Sequence, residues 1–315
     1  MKPFRILIFG IGGVGGYFGG QLAKTYQNDP SVEIVFIVRG NHLKVIKEKG
    51  LTLKTPDKTF TVFPDIATDD ASTLGEVDLI WLCTKSYGLD SALEAIKHNI
   101  GPNTYILPLL NGAHIHELVQ EKLPNANVLQ GCVYVNAYKT GAGEVTQKSK
   151  VQKFVFGKNE ATTAEHIFLD KLNAIMEKTE INLVYAKDVL REIWTKYVFI
   201  SSTSAISCLT DKTFGEFRED ESDMKTVTSL MKEAMALASA KKIDLPNDLV
   251  EKHTALINKF PPETVTSMQL DMRNSFKTEL ETMVGYVPKE SRQYELMATV
   301  SEQVYRALRE KLLQK

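Results

Sequence analysis

Two stretches of this chain carry residue types at spacings suited to chemistry. The first is RILIFGIGGVGGYFGG, residues 5–20. An apolar run, residues 6–9, breaks into Gly10-Ile11-Gly12-Gly13-Val14-Gly15 and then into a helical pattern. Gly10, Gly12 and Gly15 satisfy G-x-G-x-x-G. In that pattern the first glycine permits a tight turn, the second lets backbone approach a pyrophosphate, and the third lets helix and strand pack closely. The helix start then presents N–H groups and the positive end of its dipole to phosphate. Glycine-rich turns also follow strands for structural reasons alone; the position directly after the first strand favours a dinucleotide site. The second stretch is Trp194-Thr195-Lys196-Tyr197-Val198-Phe199-Ile200, inside a run (189–207) without Gly or Pro. An amine buried there loses hydration, its pKa falls, and it becomes a usable proton donor near neutral pH. The same pattern also accommodates a lysine snorkelling to solvent at a helix edge. Lys196, Ile200 and Ser204 are four apart, so they share a helix face and line the same surroundings.

The residue ending the second apolar run, 32–38, bears on cofactor choice. A carboxylate there accepts hydrogen bonds from the ribose 2′-OH of NAD, whereas a basic residue accommodates the 2′-phosphate of NADP. Here the run ends Val38-Arg39-Gly40-Asn41, with His42 and Lys44 adding positive charge nearby. A surface arginine after a strand is common, but with the glycine pattern upstream Arg39 points to NADP. Lys85 follows a third run, 77–83, at the carboxyl end where parallel strands bind ligands; a lysine in that place is equally at home in solvent. Asn111-Gly112 follows a fourth run, 105–109. That dipeptide makes a turn, and at a strand end its amide is also placed to orient a substrate or a catalytic group.

The elements that must position these residues alternate between strand and helix in the first half. Helices are expected at 17–26, 43–49, 89–98, 115–122 and 164–176. Further strands are expected at 128–137, 144–147, 154–156 and 182–185, and a hairpin at the sheet edge over 51–63. The first strand, helix and second strand make a βαβ unit. From about residue 187 the pattern is almost wholly helical, which places a domain boundary after Ala186: residues 1–186, then 187–315. Helices are expected at 189–207, at 224–240 (with Met231 and Met235 as core filler), after Pro246, after Thr266-Ser267-Met268, and over 290–313. The charges Asp271, Arg273, Lys277, Glu279 and Glu281 read as a solvated face. The fold class is therefore α/β, with a doubly wound sheet followed by an all-α domain.

Composition narrows the partners. Of 315 residues, 38 are Lys or Arg and 39 Asp or Glu, a net charge of −1, so no global field favours nucleic acid or membrane. Any anion site must be local. Cys83, Cys132 and Cys208 are few and far apart, which suits a reducing, cytoplasmic compartment. His114 and His116 are two apart and no Cys/His/Asp cluster has zinc spacing, so no metal is expected. No secretory leader is evident, and no apolar run reaches the ~20 residues that span a bilayer.

Taken together these residues resemble the ketopantoate reductase family (2-dehydropantoate 2-reductase). The resemblance spans nearly the whole chain: Gly10-x-Gly12-x-x-Gly15, Arg39, Thr84-Lys85, Asn111-Gly112, Trp194-x-Lys196, and Thr266-Ser267-Met268-x-x-Asp271 followed by Glu279. It implies a Rossmann domain, a helical C-terminal domain, and NADPH-dependent reduction of a 2-keto acid to a 2-hydroxy acid, foremost 2-dehydropantoate to pantoate in pantothenate biosynthesis. By that resemblance, Gly10, Ile11, Gly12, Gly13, Val14 and Gly15 hold the pyrophosphate and Arg39 the 2′-phosphate. Lys85 and Ala137 lie along the cofactor, and Asn111 touches nicotinamide and substrate. Lys196 is the general acid, Ser267 binds substrate, and Glu279 stands at the cofactor–substrate junction. The chain departs from the family where asparagines grip the substrate's polar groups: the matching positions are Ile200, Ser204 and Phe214. A more apolar 2-keto acid, or one held mainly by its carboxylate at Ser267, is therefore an alternative substrate.

Other readings remain at this point. A related 2- or 3-hydroxyacid or polyol-phosphate dehydrogenase shares the two-domain plan and a helical lysine. A non-catalytic NADP-binding sensor needs the glycine turn but has no use for Lys196, Asn111 and Glu279 together. A homodimer is compatible with the sequence but not derivable from it, because helical faces that dimerise look like faces that pack internally.

Overall fold

The apolar runs of the first half become adjacent parallel strands in the computed structural model, which describes residues 2–314. β1 (Phe4–Phe9) leads through α1 (Gly13–Tyr26) to β2 (Val32–Ile37), paired parallel from Phe4 with Val32 to Phe9 with Ile37. There follow α2 (Gly40–Lys49), β3 (Leu51–Lys54), β4 (Thr59–Val62), β5 (Ile66–Thr68), β6 (Leu79–Leu82) and α3 (Leu89–Ile96). β7 (Tyr105–Pro108), α4 (Ile115–Lys122) and β8 (Asn127–Val128) complete the set. The six strands run β5-β2-β1-β6-β7-β8, every pair parallel. This is the order of a doubly wound Rossmann sheet, with its reversal between β1 and β6; ligands bind beyond the carboxyl ends of those strands. Ile6, Leu7 and Ile8 have no exposed surface, because such a sheet is covered on both faces.

Three local expectations change. α1 begins at Gly13, not at residue 17, so Gly13 and Gly15 lie within the helix, with Gly12 at its N-cap and Gly10 before it. The β3–β4 hairpin forms, but not at the edge of the six-stranded sheet. It joins a second sheet, β11-β10-β3-β4, made with β9 (Gln130–Gly141), β10 (Glu144–Gly157) and β11 (Leu183–Tyr185). β10 is one strand of 14 residues where the pattern suggested two, because its register against antiparallel β9 is irregular between Gln147 and Gln152 and the pairing resumes beyond. Between β10 and β11 lies α5 (Thr163–Met176), closed at its start by a reciprocal Thr162–Glu165 capping box.

The chain divides into two compact units: residues up to Leu110 with Ile115–Val189, and Asn111–His114 with the residues from Leu190 onward. The second unit is helical: α6 (Val189–Thr210), α7 (Phe214–Arg218), α8 (Glu221–Ala240), α9 (Leu249–Ile257), α10 (Ser267–Arg273), α11 (Leu280–Met283), α12 (Tyr286–Ser291) and α13 (Thr299–Leu313). The expected helix over 290–313 is interrupted, because Glu295 takes the left-handed conformation (φ 56°) between α12 and α13. Long α6 serves two cores. One gathers Trp194, Tyr197, Val198, Phe214 and Phe217; the other gathers Ala205, Cys208, Met268, Leu280 and Leu308. No helix among the described residues is long and apolar enough to cross a membrane.

The glycines of α1 set how near it comes to the two sheets. A Cβ on Gly15 would overlap the Gly10 carbonyl and lie 2.9 Å from Cys83 Cβ, and one on Gly13 would overlap the Ala137 carbonyl of β9. Gly15→Ala should therefore push the helix off β1 and lower stability by about 1–3 kcal/mol, the usual cost of overpacking, read as a fall of several degrees in Tm.

Candidate active site

The start of α1 has the features that can receive an anion. Gly10 has φ +97°, a conformation that side chains disfavour, and turns the chain from β1 into the helix. Gly12 occupies the N-cap position with no side-chain cap, and the first turn contains no acidic residue. A Cβ built on Gly12 meets nothing within 4 Å. The middle glycine thus faces open space while Gly10, Gly13 and Gly15 face protein, which is the cradle a pyrophosphate needs beside N–H groups and a helix dipole. Ile11 is buried, Val14 half-buried.

Around this loop stand the other expected nucleotide residues. Arg39 is exposed at the N-cap position of α2, its guanidinium 6.0 Å from the centre of the Phe9 ring at the end of β1. Lys85 follows β6 directly after Thr84, whose methyl lies 3.2 Å from where a Gly10 Cβ would stand. Ala137 is the β9 residue against which Gly13 packs. His42, counted from the sequence as extra positive charge, is not one. It is buried, its Nδ1 accepts from Gly143 N–H at 2.7 Å, and its Nε2 lies 2.8 Å from the Ile11 carbonyl. Burial above all, with the charge of Lys139, pushes its pKa down and keeps it neutral.

In the helical unit, Lys196 is only 9% exposed, so the snorkelling reading is set aside. Its Nζ donates to Asn111 Oδ1 at 2.8 Å. Asn111 reaches it because residues 111–114, which follow β7 in sequence, belong to this unit: Ala113 is buried in its core and His114 stacks on Tyr286, ring centres 3.7 Å apart and planes 5° from parallel. Sequence reasoning missed Tyr286 altogether, since nothing local marks an aromatic residue that supports a loop from so far along the chain. Glu279 is buried at the N-cap position of α11 and Ser267 is exposed at the first residue of α10. Thr266 caps α10 by accepting from Gln269 N–H, and its hydroxyl is 3.0 Å from Ser207 Oγ of α6. Glu279 was read from charge alone as part of a solvated face; its burial contradicts that.

The family models for ketopantoate reductase PanE/ApbA and for its C-terminal region match residues 6–161 and 188–312. The chain belongs to the ketopantoate reductase family. An uncharacterized oxidoreductase of Bacillus subtilis (strain 168), YkpB, is 26% identical over 96% of both chains. The 2-dehydropantoate 2-reductase of Streptococcus pyogenes serotype M6 is 29% identical, over 90% of this chain and 89% of that one. The crystal structure of 2-dehydropantoate 2-reductase from Porphyromonas gingivalis W83 shares 32% identity, a TM-score of 0.84, and coverage of 98% and 99%. As a ketopantoate reductase family protein the chain is an NADP-dependent oxidoreductase.

The three departures from the family's asparagines lie in different surroundings. Ile200 is half-buried against the core that holds Met268 and Leu280. Ser204 is buried on the same face of α6. Phe214 is buried in the other core, among the rings of Phe199, Phe217 and Phe260. His253 closes that aromatic group, edge-on to Phe199 at 5.3 Å. Burial lowers its pKa from 6.5 to about 4. The folded protein thus binds this proton more weakly than the unfolded chain. The contribution to stability is whole above pH 6.5, falls as pH drops towards 4, and spans about 3 kcal/mol at 1.36 kcal/mol per pH unit. Denaturant unfolding across that window should show the decline, and His253→Phe should make it shallower.

Proposed function

We propose that this chain reduces a 2-keto acid to the 2-hydroxy acid, with 2-dehydropantoate as the leading substrate and Lys196 as general acid. One observation carries the reading: a buried lysine amine hydrogen-bonded to a neutral amide oxygen, Lys196 to Asn111. Asn111 orients the amine without taking its proton, and burial magnifies the field of the ammonium. The open cradle at Gly12 fits a dinucleotide pyrophosphate. Gly10 to Gly15 would hold that group, Arg39 the 2′-phosphate, and Lys85 and Ala137 the length between; Asn111 and Glu279 would serve the nicotinamide end. When bound, the cofactor supplies the hydride. Lys196 places positive charge where the ketone oxygen turns negative and gives that oxygen its proton. Ser267 would bind the substrate carboxylate, and Ser204 would offer a hydroxyl from the lysine's own helix face. The compartment that suits the three sparse cysteines is the cytoplasm.

Lys196→Ala should lower kcat by about 10²-fold or more while the NADPH dissociation constant stays within about twofold. If NADPH binding is intact and no 2-keto acid is turned over even by the unaltered protein, a non-catalytic sensor becomes the better reading. Arg39→Ala should raise KM for NADPH by roughly tenfold or more, the loss of a charge-assisted hydrogen bond, and leave KM for NADH nearly unchanged. Equal use of both cofactors by the parent chain would overturn that role.

A second substrate reading rests on Ile200, a half-buried apolar side chain four residues from Lys196. It favours a branched, apolar 2-keto acid. A panel comparing 2-dehydropantoate with such acids by NADPH absorbance separates the two, and a strong preference for 2-dehydropantoate removes the apolar alternative.

A further inference from the structure

The imidazole of His42 ties together two pieces of backbone distant in sequence. Gly143 N–H, in the turn between β9 and β10, can only donate, so Nδ1 must carry the lone pair at that 2.7 Å contact. The proton therefore sits on Nε2 and is donated to the Ile11 carbonyl at 2.8 Å. Only this one neutral tautomer satisfies both partners. Ile11 lies between the first two glycines of the loop, and the Ile11–Gly12 peptide is planar and trans. Fixing its carbonyl towards His42 thus aims the Gly12 N–H the opposite way. The far end of the strut is itself held, since Gly143 O accepts from Thr52 N–H of β3 at 2.8 Å and a Cβ on Gly143 would overlap Val45.

We propose that His42 is a positioning residue for the cofactor: its neutral imidazole orients the Ile11–Gly12 peptide so that the Gly12 N–H is preset for the pyrophosphate, and its protonation releases that peptide. The inference rests on the reading of the glycine loop as the NADPH site. Protonation would place a second N–H against that of Gly143, two donors face to face, and one end of the strut would open. The charge acting on the ring is that of Lys139 on β9, which opposes protonation, as does burial, while the Ile11 carbonyl favours it.

The test is NADPH binding by fluorescence titration from pH 8 to pH 5, with kcat at saturating NADPH measured in parallel. His42→Leu should weaken binding about tenfold at pH 7.5, the order expected for losing two neutral hydrogen bonds, with kcat within about twofold. His42→Gln, whose amide can both donate and accept, should restore most of the affinity. It should also lose the part of the acid weakening that belongs to the imidazole while keeping the part due to the cofactor's own phosphate. Unchanged affinity in His42→Leu, or identical pH profiles for the parent and His42→Gln, overturns the inference. Should His42→Leu not fold, the comparison with His42→Gln still decides. Gly12→Val separates the two layers: if it abolishes NADPH binding and the His42 variants do not alter it, only the role of His42 falls. If Gly12→Val binds NADPH normally, the loop reading falls too.

Discussion

How near a helix can come to a carbonyl oxygen is the constraint on which the nucleotide half depends. α1 lies against the Gly10 carbonyl on one side and the Ala137 carbonyl on the other, and at Gly15 and Gly13 a single methyl group would force it away. Because Gly10 directly follows β1 and Ala137 belongs to β9, that one helix is registered against both sheets at once. Its first turn is therefore placed to the accuracy of backbone contact rather than of flexible side chains. Dense packing resists small shifts, so the direction of the helix dipole and of the leading N–H groups is fixed before any ligand arrives.

In the helical unit the corresponding problem is a buried cation. Removing an amine from water is costly unless hydrogen bonds replace its hydration, and the Asn111 amide supplies one such bond. That amide is held in turn by short-range packing: a buried methyl at Ala113 and a flat ring-on-ring contact between His114 and Tyr286. α6 presents Lys196 from a helix whose neighbouring residues are committed to two separate cores, Phe199 to one and Ile200 to the other. Rotating the helix to expose the amine would disturb both.

What was legible in the sequence was mostly what local backbone chemistry decides. Gly10, Gly12 and Gly15 announce themselves because each glycine answers a separate steric demand, and the parallel strands because doubly covered strands are continuous apolar runs. Less legible was anything settled by pairing across long separations. The 51–63 segment reads as a hairpin on its own, but which sheet it joins depends on β10, some ninety residues later. The 290–313 segment reads as one helix because a single left-handed residue, Glu295, leaves no mark on hydrophobic periodicity. Whether Lys196 was buried or snorkelling was undecidable locally, because the deciding partner, Asn111, lies 85 positions earlier. His42 suggested charge by its type, and only its two backbone partners make it a neutral strut. Glu279 looked solvated for the same reason: its neighbours in sequence include charges, and only the fold buries it.

The membership of residues 111–114 in the helical unit bears on how this protein can be cut and recombined. A fragment starting at Leu190 would carry the helices yet lack Ala113 and the ring that stacks on Tyr286, leaving a gap in its apolar interior. A chimaera that exchanges only the C-terminal half with a homologue would pair one protein's tetrapeptide with another's socket. Recombination that respects the architecture has to move both segments together, so the unit of inheritance here is discontinuous in the gene although contiguous in space.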